Sequence, residues 1–453
     1  MQNQTTRMTD GSVGRHLLKF AMPIFWGNLF QQLYSVVDSL VVGNTLGSDA
    51  LAAVASSNSI IFLLVGLFNG MFVGAGVVIA QYFGGQHDEQ LHSAIHTTVL
   101  FGILCGLAVS AFGVYFTPHL LKWMDTPKSV LPNSILYFRV YFSGAVFVVL
   151  YNVAASIFQA LGDSRHPLIY LIISSFVNII LDLVFILVFK MGVDGAALAT
   201  VISQALSCAL AFGRLSRSRD AYRVDWKKLH INGPILSKLL VSGVPAGLQN
   251  CINSIGNIVV QSSVNLFGAA AMAGCGAYWK VEGFAFLPIN SMGMALAMFV
   301  GQNLGAKQYD RARKGAFLGV VSAMILAQMT GLIFATFAPQ ILTLFGAGAD
   351  VIAFGTMQAR IECWFYFLIA MSHSSAGVLR GAGLSVVPMM IITGVWCVLR
   401  VCYLLFIARP SGSLPMVLWG YPMTWLITFV LFGIFFLKFD WLHYLDRKAA
   451  KAA

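Results

Sequence analysis

Apolar residues fall in twelve long runs separated by short polar stretches: 16–42, 51–80, 92–116, 133–158, 166–189, 194–213, 235–266, 270–300, 312–338, 353–379, 386–409 and 414–437. A helix needs about 20 such residues to cross the hydrocarbon of a bilayer. The pattern therefore predicts an all-α polytopic membrane protein with twelve transmembrane helices. A carboxylate stands late in the first run, at Asp38, and Leu40, Val41 and Val42 continue the apolar sequence beyond it. A charge inside such a helix costs at least ~2.5 kcal/mol, which makes an intramembrane acid a functional candidate by default.

Composition agrees with this reading. The 453 residues are 58% hydrophobic and 10% charged, with a mean hydropathy of +0.79, against about 25% charged in soluble domains. A net charge of +11 would suit nucleic acid, but its placement argues for a membrane. Arg7 and Arg15 precede the first run, and Arg165 lies between the fourth and fifth. Arg214, Arg217, Arg219, Arg223, Lys227 and Lys228 follow the sixth, and Lys307, Arg311, Arg313 and Lys314 follow the eighth. Arg447, Lys448 and Lys451 come last, and the opposite loops hold only Lys122, Lys128, Lys190 and Arg409. This positive-inside pattern predicts a multi-pass protein of the cytoplasmic (inner) membrane with both termini cytoplasmic. Lipid, not nucleic acid, is then the surrounding partner. The first apolar run is too long for the core of a cleavable signal peptide. The seven cysteines lie in apolar runs without metal-like spacing and are read as packing residues.

The chain repeats itself. Gln81 and Gly84 in AQYFGG match Gln302 and Gly305 in GQNLGA; Arg139 matches Arg360; Gly162 and Pro167 match Gly383 and Pro388. All of these pairs are 221 residues apart, and Pro23 and Pro245 match at 222. The expected organisation is an amino-terminal six-helix lobe (1–213), a basic cytoplasmic linker (214–234) and a carboxy-terminal six-helix lobe (235–453). Two six-span halves form a parallel repeat, an architecture of transporters whose sites lie near the bilayer midplane.

The first half carries the polar residues. Pro23 removes a backbone hydrogen bond and is expected to kink span one. Tyr34 lies one turn before Asp38, Asn152 stands within span four, and Asn178 and Asp182 in NIILD share a face of span five. Thr200, in GAALATVISQ, lies about two turns into span six. At about 1.5 Å of rise per residue, Asp38, Asn178, Asp182 and Thr200 all fall in the outer half of the membrane. In the second half the positions equivalent to the NIILD pair are Leu399 and Tyr403, and Asp38 corresponds to Val260 or Gln261. This acid pair is not duplicated, which points to chemistry rather than scaffolding. Two carboxyls with an amide and a hydroxyl suit a hard cation such as Na⁺, or a proton. Either would change the preferred conformation by changing the charge of the site.

Glu282, in YWKVEGFAFLP, is read as the other acid within a span, either lining the cavity or held in a structural ion pair. Arg139, Arg360 and Arg400 are expected to snorkel from span ends. GAAAMAG, Gly268 to Gly274, is read as a turn and a close helix contact.

These motifs together resemble the multidrug and toxic compound extrusion (MATE) family over nearly the whole chain. They are Pro23, YSVVDSLVVG around Asp38, LGDSRHP, NIILD, GAALATVISQ and GQNLGA. The resemblance implies a two-lobed antiporter, functional as a monomer and without a cofactor, that expels small organic compounds, often cationic or amphipathic and drug-like, in exchange for H⁺ or Na⁺. It also implies a cation site at Asp38, Asn178, Asp182 and Thr200, the position of any Na⁺, with Tyr34 and Asn152 near the cavity. One branch of the family also carries acids in spans seven and ten. Here those regions offer Asn253 and Ile369 to His373, so the resemblance is to the branch that couples through the amino-terminal lobe. A lipid-linked oligosaccharide flippase of related fold is the alternative. It would need a basic cavity, and no cluster of basic residues is seen within the spans. No nucleophile–base set or HExxH motif supports an enzyme.

Overall fold

The computed structural model describes residues 7–123, 126–218, 220–343 and 348–452. The side chains of 35, 39–40, 44, 48–49, 51–53, 55–65, 449 and 451–452 lie outside this description, Leu40 and Lys451 among them.

In the first half, α1 is Val13–Leu46, α2 Ser48–Gly84, α3 Asp88–Trp123, α4 Leu131–Ser143, α5 Ala145–Ala160, α6 Arg165–Leu183 and α7 Val193–Arg217. In the second, α8 is Gly233–Asn265, α9 Ala269–Gly305, α10 Tyr309–Thr343, α11 Ala349–Glu362, α12 Tyr366–Gly381, α13 Val386–Thr393, α14 Arg400–Tyr403 and α15 Leu414–Lys438. A short α16 follows at Tyr444–Ala452. Joined across their breaks (α4 with α5, α11 with α12, α13 with α14), these segments make twelve long helical stretches. Among the described residues, nine helices are long and apolar enough to cross a membrane, or ten when the pair α4 and α5, bent by 45°, is counted as one. Pro23 and Pro245 lie inside α1 and α8, which continue past them.

The internal repeat is written into the backbone. Left-handed conformations occur at Gly47 and Gly268 (φ 88° and 93°), at Gln86 and Lys307 (58° and 57°), and at Gly162 and Gly383 (79° and 78°), each pair 221 residues apart. Gly268 closes the turn before α9, and Gly274 lies inside the helix where a Cβ would meet the Val351 carbonyl at 2.5 Å. α6 runs into a π-helical turn at Val184–Val188, and the second half has the same feature at Leu404–Ala408, with a further one at Gly394–Leu399. Such widened turns are frequent at functional sites.

The chain divides into two compact units: Met1–Arg7 with Trp26–Leu240, and Met8–Phe25 with Val241–Ala453. In the first, α3 packs on α4 and α5, and α6 on α7. Its buried core includes Tyr137, Phe138, Phe142, Ile186 and Ala197. In the second, α9 is the hub, flanked by α10, α11 and α12. Small residues let these backbones meet: a Cβ on Gly377 would fall 2.1 Å from the Gly293 carbonyl oxygen. Close contact of this kind, not hydrophobicity, drives helix association in lipid. The strap before α1 is anchored in the second unit, where Arg311 donates to the carbonyls of Met8, Asp10 and Gly11 at 3.1, 2.8 and 2.6 Å.

Candidate functional site

The acid pair is assembled by three helices of the first unit. α1 supplies Asp38 and Tyr34, α6 supplies Asn178 and Asp182, and α7 supplies Thr200. Asn178 and Asp182 are 1% exposed and Thr200 7%. Asp182 stands two residues before the π-helical turn that ends α6. The carboxyls of Asp38 and Asp182 lie within hydrogen-bonding reach of each other. The Asn178 amide is satisfied when it donates to Asp182 Oδ2 at 3.0 Å and accepts from the Thr200 backbone N–H at 3.2 Å. The Thr200 hydroxyl donates to the Ala196 carbonyl of its own helix at 3.1 Å. Tyr34 reaches Thr200 through its hydroxyl, and Tyr137 of α4, 4% exposed, stands beside both acids.

Asp38 Oδ1 and Asp182 Oδ1 are buried with no hydrogen-bond partner. An unpartnered buried carboxylate oxygen is costly. Two of them, aided by an amide and hydroxyls, form an oxygen-rich donor set that fits a hard cation or a proton shared between the acids. The charges that act on this pair are the acids' own. Asn152 is spent elsewhere, donating to the Val148 carbonyl of its own helix at 2.8 Å.

The second unit holds a separate polar cluster around Glu282. The sequence reading needs correction here on two points. Glu362 of α11 is a further acid within a span: it is 0% exposed, and its carboxyl lies within hydrogen-bonding reach of Glu282. Nor does Arg400 snorkel. It is 3% exposed, donates to Thr424 Oγ1 at 3.1 and 2.6 Å, and lies 4.4 Å over the Tyr421 ring. Buried acids and desolvated aromatic faces hold it at depth. Arg139 and Arg360 are exposed. Gln358 donates to Glu362 Oε1 at 2.8 Å, while Tyr278 and Tyr366 share a 2.7 Å hydrogen bond next to Glu282. Two carboxyls holding one proton and opposed by one guanidinium are electrically neutral. Glu282 thus belongs to a buried, charge-balanced network. Glu362 belongs to no motif, and its partners Glu282 and Arg400 lie on other helices. The signal was present, since Gln358, Glu362 and Tyr366 recur at helical spacing.

Buried acids on several helices, twelve helical stretches among the described residues and an internal repeat define a polytopic membrane transporter rather than an enzyme. The MatE family model matches residues 23–184 and 245–404, one block in each half. The chain belongs to that family. It is 30% identical to the probable multidrug resistance protein YoeA of Bacillus subtilis over 86% of either chain. It is 25% identical to an FAD transporter of Shewanella oneidensis over 76% of this chain and 77% of that one. Among solved structures, MATE in the bent conformation superposes with a TM-score of 0.91 at 21% identity, covering 99% of this chain and 100% of the other.

Proposed function

We propose that the protein is a secondary antiporter of the cytoplasmic membrane, with both termini cytoplasmic, that exports small organic compounds of amphipathic, drug-like character in exchange for H⁺ or Na⁺. The observation that carries the reading is the pair Asp38 and Asp182, each with a buried oxygen that has no partner. The names of relatives such as YoeA support the substrate class. Asp38, Asn178, Asp182 and Thr200 would hold the coupling cation. Its arrival lowers the negative charge of the pair and relieves a repulsion that otherwise favours separated carboxyls. The site therefore prefers one helix arrangement when loaded and another when empty, and the substrate reads the difference. Pro23, inside α1 and fifteen residues before Asp38, weakens the backbone ladder where such a shift can be absorbed.

The test uses purified protein in proteoliposomes loaded with ethidium, with a proton gradient alone and then a sodium gradient alone. Ethidium movement driven by one gradient and abolished by Asp38→Asn is the expected result. Undiminished coupled movement in Asp38→Asn would sink the acid-pair mechanism.

A further inference from the structure

Arg380 stands at the last turn of α12 in the second unit. Its Nη2 donates to Gln249 Oε1 of α8 at 3.0 Å, and its Nε is buried without a partner. No carboxylate lies within ion-pair distance of it among the described residues. The charge set acting on Glu282 and Glu362 includes Arg400, not Arg380. Arg380 is therefore a guanidinium within the helical unit that no acid balances. The residue is not sealed: it is partly exposed while its Nε is buried. Gln249 holds it in place, and Asn253, one turn further along α8, adds a second amide. His373, two turns earlier on α12, is close enough to feel the Arg380 charge. It is packed between the rings of Phe286 and Trp396, with centroids at 6.0 and 5.6 Å.

We infer that Arg380 is an anion-reading subsite: it receives a carboxylate or phosphate carried by an amphipathic substrate whose apolar body lies toward Phe286 and Trp396. The inference rests on the export reading above and deepens it: among the amphipathic compounds exported, those that bear an acidic group are bound in preference. The chemistry is direct. A charge held in a membrane protein without a partner is costly and marks a ligand path. Guanidinium binds carboxylate and phosphate through two parallel N–H bonds, and those bonds are the strong, charge-assisted kind. The negative end of α12 offsets part of the burial cost, but it leaves the Nε donor unanswered.

Binding of rhodamine B, which carries a free carboxylate, and of its ethyl ester, which does not, is measured by fluorescence anisotropy on the full-length protein in neutral-lipid nanodiscs. The wild type is expected to prefer the acid. Arg380→Gln should shift the ratio of the two dissociation constants toward the ester by about tenfold or more, and Arg380→Lys should fall between. An unchanged ratio overturns the assignment even if both constants worsen together, because a merely structural arginine affects both dyes alike. A wild type that binds neither dye overturns it as well. Nanodiscs containing phosphatidylglycerol distinguish the source of the anion. If acidic lipid abolishes the acid preference, the subsite reads a lipid headgroup and the assignment to an exported compound falls. Failure of the Asp38→Asn flux test alone would remove the antiport reading and leave this ratio intact.

Discussion

Replacing Arg400 by Met tests the charge balance of the second unit. The guanidinium is the positive charge that acts on both Glu282 and Glu362. It makes two hydrogen bonds to one hydroxyl and a cation–π contact at 4.4 Å. The two hydrogen bonds share a single acceptor and contribute about 1–1.5 kcal/mol together, and a desolvated cation–π contact adds roughly 2 kcal/mol. Removing one partner of a buried charge network costs about 3–5 kcal/mol in all, chiefly because the remaining charge is stranded. For a unit of this size that corresponds to a fall in thermal midpoint on the order of 10 °C. Glu362→Gln keeps the shape and can still accept from Gln358, so alone it should cost less than about 1 kcal/mol. In the Arg400→Met background a single proton, on Glu282, then makes the set neutral, where the intact pair would need two. The double variant should therefore recover roughly 1–2 kcal/mol relative to the sum of the singles. Tryptophan fluorescence during heating reads this locally, because Trp425 lies 6.2 Å from the Tyr366 ring and Trp396 stands under Arg400. Additivity within about 0.5 kcal/mol would show that Arg400 acts by packing alone and would refute the charge-balance argument.

Gly377→Ala forces a methyl against the Gly293 carbonyl oxygen, backbone on backbone. It should destabilise by about 2–3 kcal/mol, while Gly433→Ala, with nothing within 4 Å, should be neutral or gain up to about 1 kcal/mol of helix propensity; thermal scans of the two in one detergent decide it. Lys122→Ala removes an exposed charge in the last turn of α3 and should leave ethidium flux within about twofold of wild type, since surface charges away from a site act weakly.

Much of the fold was legible because a membrane imposes a blunt rule: a helix must be apolar for its whole span. Run lengths alone therefore predicted α1 through α15 as twelve stretches, and the 221-residue offset reappears in the φ angles of Gly47 and Gly268. The first acid site was legible because Asn178 and Asp182 sit at i and i+4 in NIILD and because Asp38 interrupts a long apolar run. The second cluster was not. Glu362, Arg400 and Glu282 come from separate helices, and only packing shows that their charges answer one another. A sequence cannot distinguish an arginine that snorkels, as exposed Arg360 can, from one buried over a tyrosine ring, as Arg400 is. Arg380 was lost for a simpler reason: it lies one residue beyond the apolar run 353–379, and a helix end is where basic residues are expected to be inert.

The two acid pairs pose opposite electrostatic problems, and the difference bears on the proposed cation site. Each pair brings two carboxyls within hydrogen-bonding reach inside a helical unit. Around Glu282 and Glu362 the protein supplies its own cation, Arg400, tethered by Thr424. One proton shared between those acids makes the set neutral, so an external cation gains little there. Around Asp38 and Asp182 no built-in positive charge acts on the pair among the described residues, and two carboxylate oxygens are left without partners. One shared proton still leaves a net negative charge, and the shortfall has to come from solution. This supports assigning the coupling site to the first unit on charge grounds alone. Arg400→Met should give the second unit the same demand: added Na⁺ or lower pH should then raise the thermal midpoint of that variant more than that of the wild type.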